Sequence, residues 1–247
     1  MMSKYSLGFD PPIMNAAGSL GFAPDLHGPV DLKRLGAFIT NPISGAGRSP
    51  AHGMRFAAYV GGFLVHTGHP NPGLKIALRR HAAQWRRSVL PVWVHLLAQD
   101  ADTLARMVRT IEGIEGIAGI EIGFGPDVSA ASASAFVSAS QGELPVLARL
   151  PMERALELAE VVSTAGASAI SLGPPRGAVS IARNEILQGR MYGPAVLPLA
   201  LAAVQSLVRS GFNVIGAGGI YRQEDMDAML ATGATAVQLD AALWLGF

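Results

Sequence analysis

The stretch that decides the fold is 213–240, NVIGAGGIYRQEDMDAMLATGATAVQLD. Residues 213–217 are an apolar run bounded by Gly216, Gly218 and Gly219, the pattern of a buried strand entering a turn. Residues 222–232 carry Met226, Met229 and Leu230 at helical spacing. Glu224, Asp225 and Asp227 lie towards the start of that run, where the helix dipole favours acids. Gly233 supplies the stop, and residues 236–239 form a second buried strand. Strand, helix and strand so closely coupled make one right-handed crossover of a parallel sheet. The glycines after the first strand leave backbone N–H groups free to converge on an anion, and in barrels of alternating strands and helices the last two such loops often hold a phosphate. The spacing gives the unit, not the ligand.

Outward from this unit, the same alternation counts to eight strands. They are expected at 12–17, 37–40, 92–97, 117–122, 146–150, 169–172, 213–217 and 236–239, with helices at 30–35, 73–87, 101–112, 129–140, 152–164, 197–210 and 222–232. The junctions AGASAIS (165–171) and TGATAVQ (232–238) echo each other. Between Asn41 and Asn71 lies a long Gly- and Pro-rich excursion with a possible hairpin, 56–60 against 63–67. An irregular loop of this length usually builds a site wall. Eight βα units favour a (β/α)8 TIM barrel, shortened at the C-terminus, over an open doubly wound sheet, and no linker divides 1–247 into more than one domain.

Composition narrows the function classes. Half of the 247 residues are hydrophobic and 15% are charged, which suits buried parallel strands rather than disorder. A net charge of +1 argues for neither a nucleic-acid nor an anionic-membrane partner. The basic run Lys75, Arg79, Arg80, Arg86 and Arg87 alternates with apolar residues and reads as a solvated helix face. Without cysteine there is no disulfide, thiolate metal site or cysteine nucleophile. The first residues, MMSKYSLGFDPP, lack the apolar core of a signal peptide, and the expectation is a cytoplasmic protein.

Several segments occur in the order of the signature segments of one family. They are PPIMNAAGSLGF (11–22), LGAFITNPIS (35–44), HPNPGL (69–74), GIEIGFGPDV (119–128), LPVLARLP (144–151), YGPAVLPLAL (192–201) and the stretch 213–239. Together they resemble the dihydroorotate dehydrogenases over nearly the whole chain. The resemblance implies an FMN-containing barrel that oxidises dihydroorotate to orotate. It places cofactor contacts at Asn15, Ala16, Gly18, Asn41, Arg149, Gly216, Gly218, Gly219 and Asp240.

Departures from the family pattern accumulate at these positions. Asn41 and Arg149 stand where the family has lysines, and Val65 where an asparagine binds substrate. The polar segment associated with the family's base is here Gly123-Phe124-Gly125-Pro126-Asp127, which holds no thiol or hydroxyl. The asparagine after strand six is replaced by Leu172-Gly173-Pro174-Pro175. Asp240-Ala241 replaces Gly-Thr or Gly-Ser in the phosphate loop, and a carboxylate repels a phosphate dianion unless Arg149, a metal or a proton intervenes. His66 and His69 are candidates to replace the base, against the blander reading of solvated loop histidines, and no third ligand at a recognisable spacing makes a metal site with them. His95, within strand three, reads as a hydrogen-bonded core residue, and Glu121 as an interior hydrogen-bonder. Arg149, at the C-terminal end of a barrel strand, is the strongest ligand-binding candidate; its alternative is an internal ion pair with Glu121 or Asp240.

Two functional classes follow. One is an oxidoreductase that keeps FMN or another small phosphorylated or anionic ligand and acts on a substrate other than dihydroorotate. The other is a non-catalytic binding or scaffold subunit on the same barrel. In both, the apolar tail Ala241-Ala242-Leu243-Trp244-Leu245-Gly246-Phe247 is too short for a full covering helix. A second copy or a partner subunit is expected over that edge, anchored by Trp244 and Phe247, unless the tail plugs the gap itself with help from residues 5–9.

Overall fold

The computed structural model describes residues 7–246. Eight parallel strands form the barrel: β1 (Ile13–Asn15), β2 (Phe38–Ile39), β3 (Val92–Leu97), β4 (Ile117–Gly123), β5 (Val146–Pro151), β6 (Ala169–Gly173), β7 (Val214–Ala217) and β8 (Ala236–Leu239). Their order is β1-β8-β7-β6-β5-β4-β3-β2, as a (β/α)8 barrel requires. The ring closes between β1 and β2 by a single parallel bridge, Met14 to Ala37. Asn15 completes the closure. Its Oδ1 accepts from the Ile39 N–H at 2.8 Å and its Nδ2 donates to the Ile39 carbonyl at 2.7 Å. A buried side-chain amide thus replaces ladder bonds that two short strands do not supply.

Among the described residues six helices cover the sheet: α1 (Leu74–Arg86), α2 (Ala101–Glu112), α3 (Ala130–Ala139), α4 (Ala155–Thr164), α5 (Leu197–Arg209) and α6 (Gln223–Ala231). α2 shows why they form. Asp100 caps it by accepting from the Thr103 N–H at 2.7 Å, and Leu104, Met107, Val108 and Ile111 fall on one buried face. Each such side chain contributes roughly 1.5–3 kcal/mol of burial, so a charge at Leu104 would open the layer. The basic residues Lys75, Arg79, Arg80 and Arg86 lie on the exposed face of α1, with Arg87 just beyond it. Among the described residues no helix is long and apolar enough to cross a membrane.

Several expected elements change form. The strand expected at 37–40 is broken: β2 ends before Asn41-Pro42, and the chain rejoins β3 as Ile43–Ser44, paired with Leu96 and Leu97. Pro42 has no N–H for a ladder, which places the break there. The helix expected at 30–35 is one 3-10 turn, Leu32–Arg34, and the start of 152–164 is another, Met152–Arg154, leading into α4. The larger difference is a second sheet. The expected hairpin is present as Phe56–Tyr59 and Gly62–Val65, but it pairs with an unforeseen hairpin, Arg176–Ala182 and Glu185–Tyr192. Phe63 stacks on Tyr192 with ring centroids 5.5 Å apart, which fastens the two hairpins together.

The C-terminal edge is covered in part. Ala241–Leu245 forms a 3-10 turn after β8, with Ala242 and Leu243 buried. Trp244 donates its indole N–H to the Ser19 carbonyl at 3.1 Å, yet remains 57% exposed, beside Leu245 at 75%. Phe247 and Tyr5 lie outside the described residues. Phe9 does not help at this edge: it packs on Trp93 inside the other end of the barrel, at 5.8 Å between ring centroids.

Candidate functional site

Strand alternation decides what the barrel encloses, because residues two apart share a face. At the bottom, Met14, Ile39, Trp93, Leu147, Ala169, Ile215 and Ala236 make an apolar plug. One step up, the same faces present His95, Glu121, Arg149, Ser171 and Gln238. Glu121 is fully buried and serves as the hub. His95 Nδ1 lies 2.6 Å from Glu121 Oε2, while Ser171 Oγ and Gln238 Nε2 donate to Oε1 at 2.7 and 2.6 Å. Arg149 Nη1 is 3.7 Å from Oε2.

Electrostatics settles the protonation of this network. Burial pushes Glu121 upward, but the His95 hydrogen bond and the Arg149 charge outweigh it and hold the carboxyl at about 2. Burial pushes His95 below its ordinary value, and the Glu121 bond opposes that only in part. Glu121 is therefore a carboxylate and His95 a neutral imidazole. An ionised carboxylate only accepts, so Nδ1 carries the hydrogen. The sequence readings of His95 and Glu121 as interior hydrogen-bonders hold, and Arg149 does make the internal pair given as its alternative.

Arg149 also reaches the mouth. Two adjoining cavities, about 370 and 360 Å³, lie above the network and share Arg149, His69, Arg190 and Tyr192. Four arginines line the first, Arg48, Arg149, Arg176 and Arg190, with a single carboxylate, Glu153. Glu153 accepts from the Arg176 backbone N–H at 2.5 Å. Arg190 donates through Nη2 to Thr67 Oγ1 at 3.1 Å and through Nη1 contacts the His69 ring; its buried Nε has no partner. His69 is thus no solvated loop residue: burial first, then the charge of Arg190, lowers it to about 2, leaving it neutral. His66 is exposed at the rim.

Ala16, Gly18, Asn41, Arg149 and Asp240 all line the second cavity. Val65 lines both, and the Gly123-Phe124-Gly125-Pro126 and Gly173-Pro174 segments line the first. Asn15, Gly216, Gly218 and Gly219 line neither. The Asn15 side chain is spent on closing the barrel, as described. Sequence reasoning missed Arg48, Arg176 and Arg190, the last two because their hairpin was not foreseen. A signal was there: Arg183-Asn184 is a two-residue turn, with Asn184 at positive φ, after the alternating Gly177, Val179 and Ile181.

The ends of β7 and β8 test the FMN that the resemblance implies. A Cβ on Gly219 would stand 2.2 Å from the Leu197 nitrogen, so that glycine is required by packing on the start of α5. The Ala241 N–H, a donor a phosphate would use, is donated to Asp240 Oδ1 at 2.5 Å. Asp240 is half-buried, and desolvation raises its pKa. A dianion here meets an acid in place of a donor. This end, as it stands, does not fit the phosphate of FMN.

The class these features define is a (β/α)8 barrel with an arginine-lined mouth at the C-terminal ends of its strands. No family model matches the chain. Among curated proteins it is similar to the catalytic subunit of dihydroorotate dehydrogenase B (NAD(+)) from Trichlorobacter lovleyi, 28% identical over 258 residues, covering 96% of this chain and 85% of that protein. The same subunit from Desulforudis audaxviator is 28% identical over 254 residues, covering 94% and 82%. Among solved structures it resembles ligand-free dihydroorotate dehydrogenase from Eimeria tenella, with a TM-score of 0.76, 14% identity and coverage of 95% and 80%. The chain is similar to dihydroorotate dehydrogenases over most of its length, in sequence and in fold.

Proposed function

We propose that this protein binds a small carboxylate-bearing or otherwise anionic ligand in the arginine-lined mouth and acts on a substrate other than dihydroorotate. The observation that carries this reading is the convergence of four arginines on one cavity with one carboxylate among them. Arginine presents a planar fork that matches a carboxylate bidentately, and a concave low-dielectric wall strengthens the attraction. Arg190 is held ready by Thr67 and His69, with one donor still unspent. The test is calorimetric titration with malonate beside neutral malonamide. Malonate binding that is lost in Arg190→Ala supports the reading, whereas equal or absent binding of both compounds sinks it.

A second reading is favoured by the similarity to dihydroorotate dehydrogenase B over most of the chain: an FMN-linked oxidoreductase with a changed substrate. It requires the β7–β8 end to rearrange around a phosphate. The visible spectrum of the purified protein separates the two, because flavin bands would support the second reading. A non-catalytic binding subunit remains the outcome if an anion binds but no turnover is found. A cytoplasmic location, and a second copy or partner subunit over Trp244 and Leu245, belong to the same proposal; the exposure of these two apolar side chains supports the latter.

A further inference from the structure

In the 123–127 segment the one side chain able to take a proton, Asp127, is exposed and outside the arginine-lined cavity, yet another such group stands at the base of the mouth. We propose that His95, oriented by Glu121, is the proton acceptor of this cavity, serving a small carboxylate whose acidic N–H, O–H or C–H faces it. The proposal rests on the anion reading above and adds to it the group that would perform chemistry.

Three observations carry it. First, the Nδ1 hydrogen bond to Glu121 at 2.6 Å fixes the ring and leaves the Nε2 lone pair as the free end. Second, Nε2 has no hydrogen-bond partner among the described residues, and His95 lines the arginine-rich cavity although only 3% exposed. Third, the opening in front of it exists because residue 123 is glycine. A Cβ there would stand 2.5 Å from Nε2 and 2.9 Å from Cε1. Glycine at position 123 is what leaves the imidazole uncovered.

The charged and titratable groups facing the ring are Glu121 from β4, Arg149 from β5, Arg190 from the 185–192 hairpin and the neutral His69 across the cavity. The two arginines disfavour a standing positive charge on the ring and attract the ligand's carboxylate. When the ligand gives up its proton, its X–H bond breaks and an N–H bond forms at Nε2. The electron pair stays on the ligand, where the arginines face it. The imidazolium is offset by the Glu121 carboxylate, which keeps its Nδ1–H bond throughout. No oxidant enters this step, and the reverse transfer returns the proton.

The test uses diethyl pyrocarbonate, which acylates an unprotonated imidazole nitrogen, with peptide mapping by mass spectrometry on the full chain. His95 is expected to be modified in the wild type and shielded by saturating malonate. Modification should be lost in Gly123→Ala, whose methyl group covers Nε2, while the exposed His27, His52 and His66 still react. An unmodified His95 beside modified surface histidines overturns the proposal. ¹⁵N NMR of the wild-type histidines gives an independent arm that does not rely on the folding of Gly123→Ala. A neutral ring protonated at Nδ1 supports the proposal, and one protonated at Nε2 overturns it. If malonate fails to bind while the reagent still finds His95, the anion reading fails by itself and the uncovered acceptor stands.

Discussion

Two halves of one barrel mouth are built in opposite ways. Over β3 to β6, the glycines and prolines of 123–126 and 173–174 leave a space lined by Arg48, Arg149, Arg176 and Arg190 above His95. At the ends of β7 and β8 a glycine frame is present, yet Asp240 takes the Ala241 donor and Gly219 packs on α5. The difference teaches that retained glycines report backbone packing as much as ligand contact. A loop motif becomes a site only when its donors are unspent.

The comparison breaks most visibly in a turnover assay. If the open half no longer supports the family reaction, dihydroorotate oxidation with added FMN should fall ~100- to 10,000-fold below that of an enzyme with a positioned base. A dye-coupled assay reads it, and turnover at the ordinary family rate would show that the changed 123–127 segment is immaterial.

The next effect is on stability. Glu121→Ala leaves His95, Ser171, Gln238 and Arg149 facing a buried void. Removing the carboxylate from its buried partners should cost about 3–5 kcal/mol, read in urea unfolding. The pH dependence follows from the signs. Glu121 titrates at about 2 when folded against 4.5 ordinarily, so its contribution is present above 4.5 and lost as pH falls towards 2. His95 is also depressed, from 6.5, so its contribution is lost as pH falls below that value. Asp240 is raised and acts oppositely: its contribution is present at low pH and lost as pH rises through its folded value. The urea midpoint should therefore fall between pH 7 and 3, and in Glu121→Gln that fall should be shallower. An unchanged slope would show that the network does not govern acid stability.

The barrel was legible in the sequence because buried parallel strands are apolar runs and each βα unit repeats the same punctuation. β3, α2 and β8 occupy the expected residues. The site was less legible. Arg149 could be placed from its position at a strand end, but Arg176 and Arg190 depend on a hairpin whose strands are exposed on one face, so no apolar run announces them. Nor does a sequence show that Glu121 fixes one nitrogen of His95 and that Gly123 clears the other, since those relations join neighbouring strands.

The closed half is sharpened by Asp240→Gly. Freeing the Ala241 N–H restores one hydrogen bond to a charged acceptor, worth about 1.5–3 kcal/mol, and removes a half-buried acid. FMN affinity, followed by fluorescence quenching, should rise by the corresponding factor of roughly 10 to 150. If Asp240 instead serves chiefly as the partner of Arg149, the variant will melt lower and gain no flavin. Measuring binding and melting on the same sample distinguishes these outcomes.

The smallest expected effect lies beside that half, at Trp244. Its indole lines the second cavity, donates to the Ser19 carbonyl at 3.1 Å and still leaves 57% of the residue exposed next to Leu245. Trp244→Ala removes one hydrogen bond at a solvated edge, which costs about 0.5–1.5 kcal/mol in the isolated chain. If a second copy covers the patch, the same substitution also removes an aromatic anchor, and such anchors dominate interface energies. Light scattering of wild type and variant over a concentration series separates the two roles. A wild-type dimer that becomes monomeric in the variant, with little change in melting of the monomer, assigns Trp244 to an interface. A wild type that stays monomeric at high concentration assigns it to the wall of the second cavity, where its loss would widen the closed half of the mouth without changing assembly.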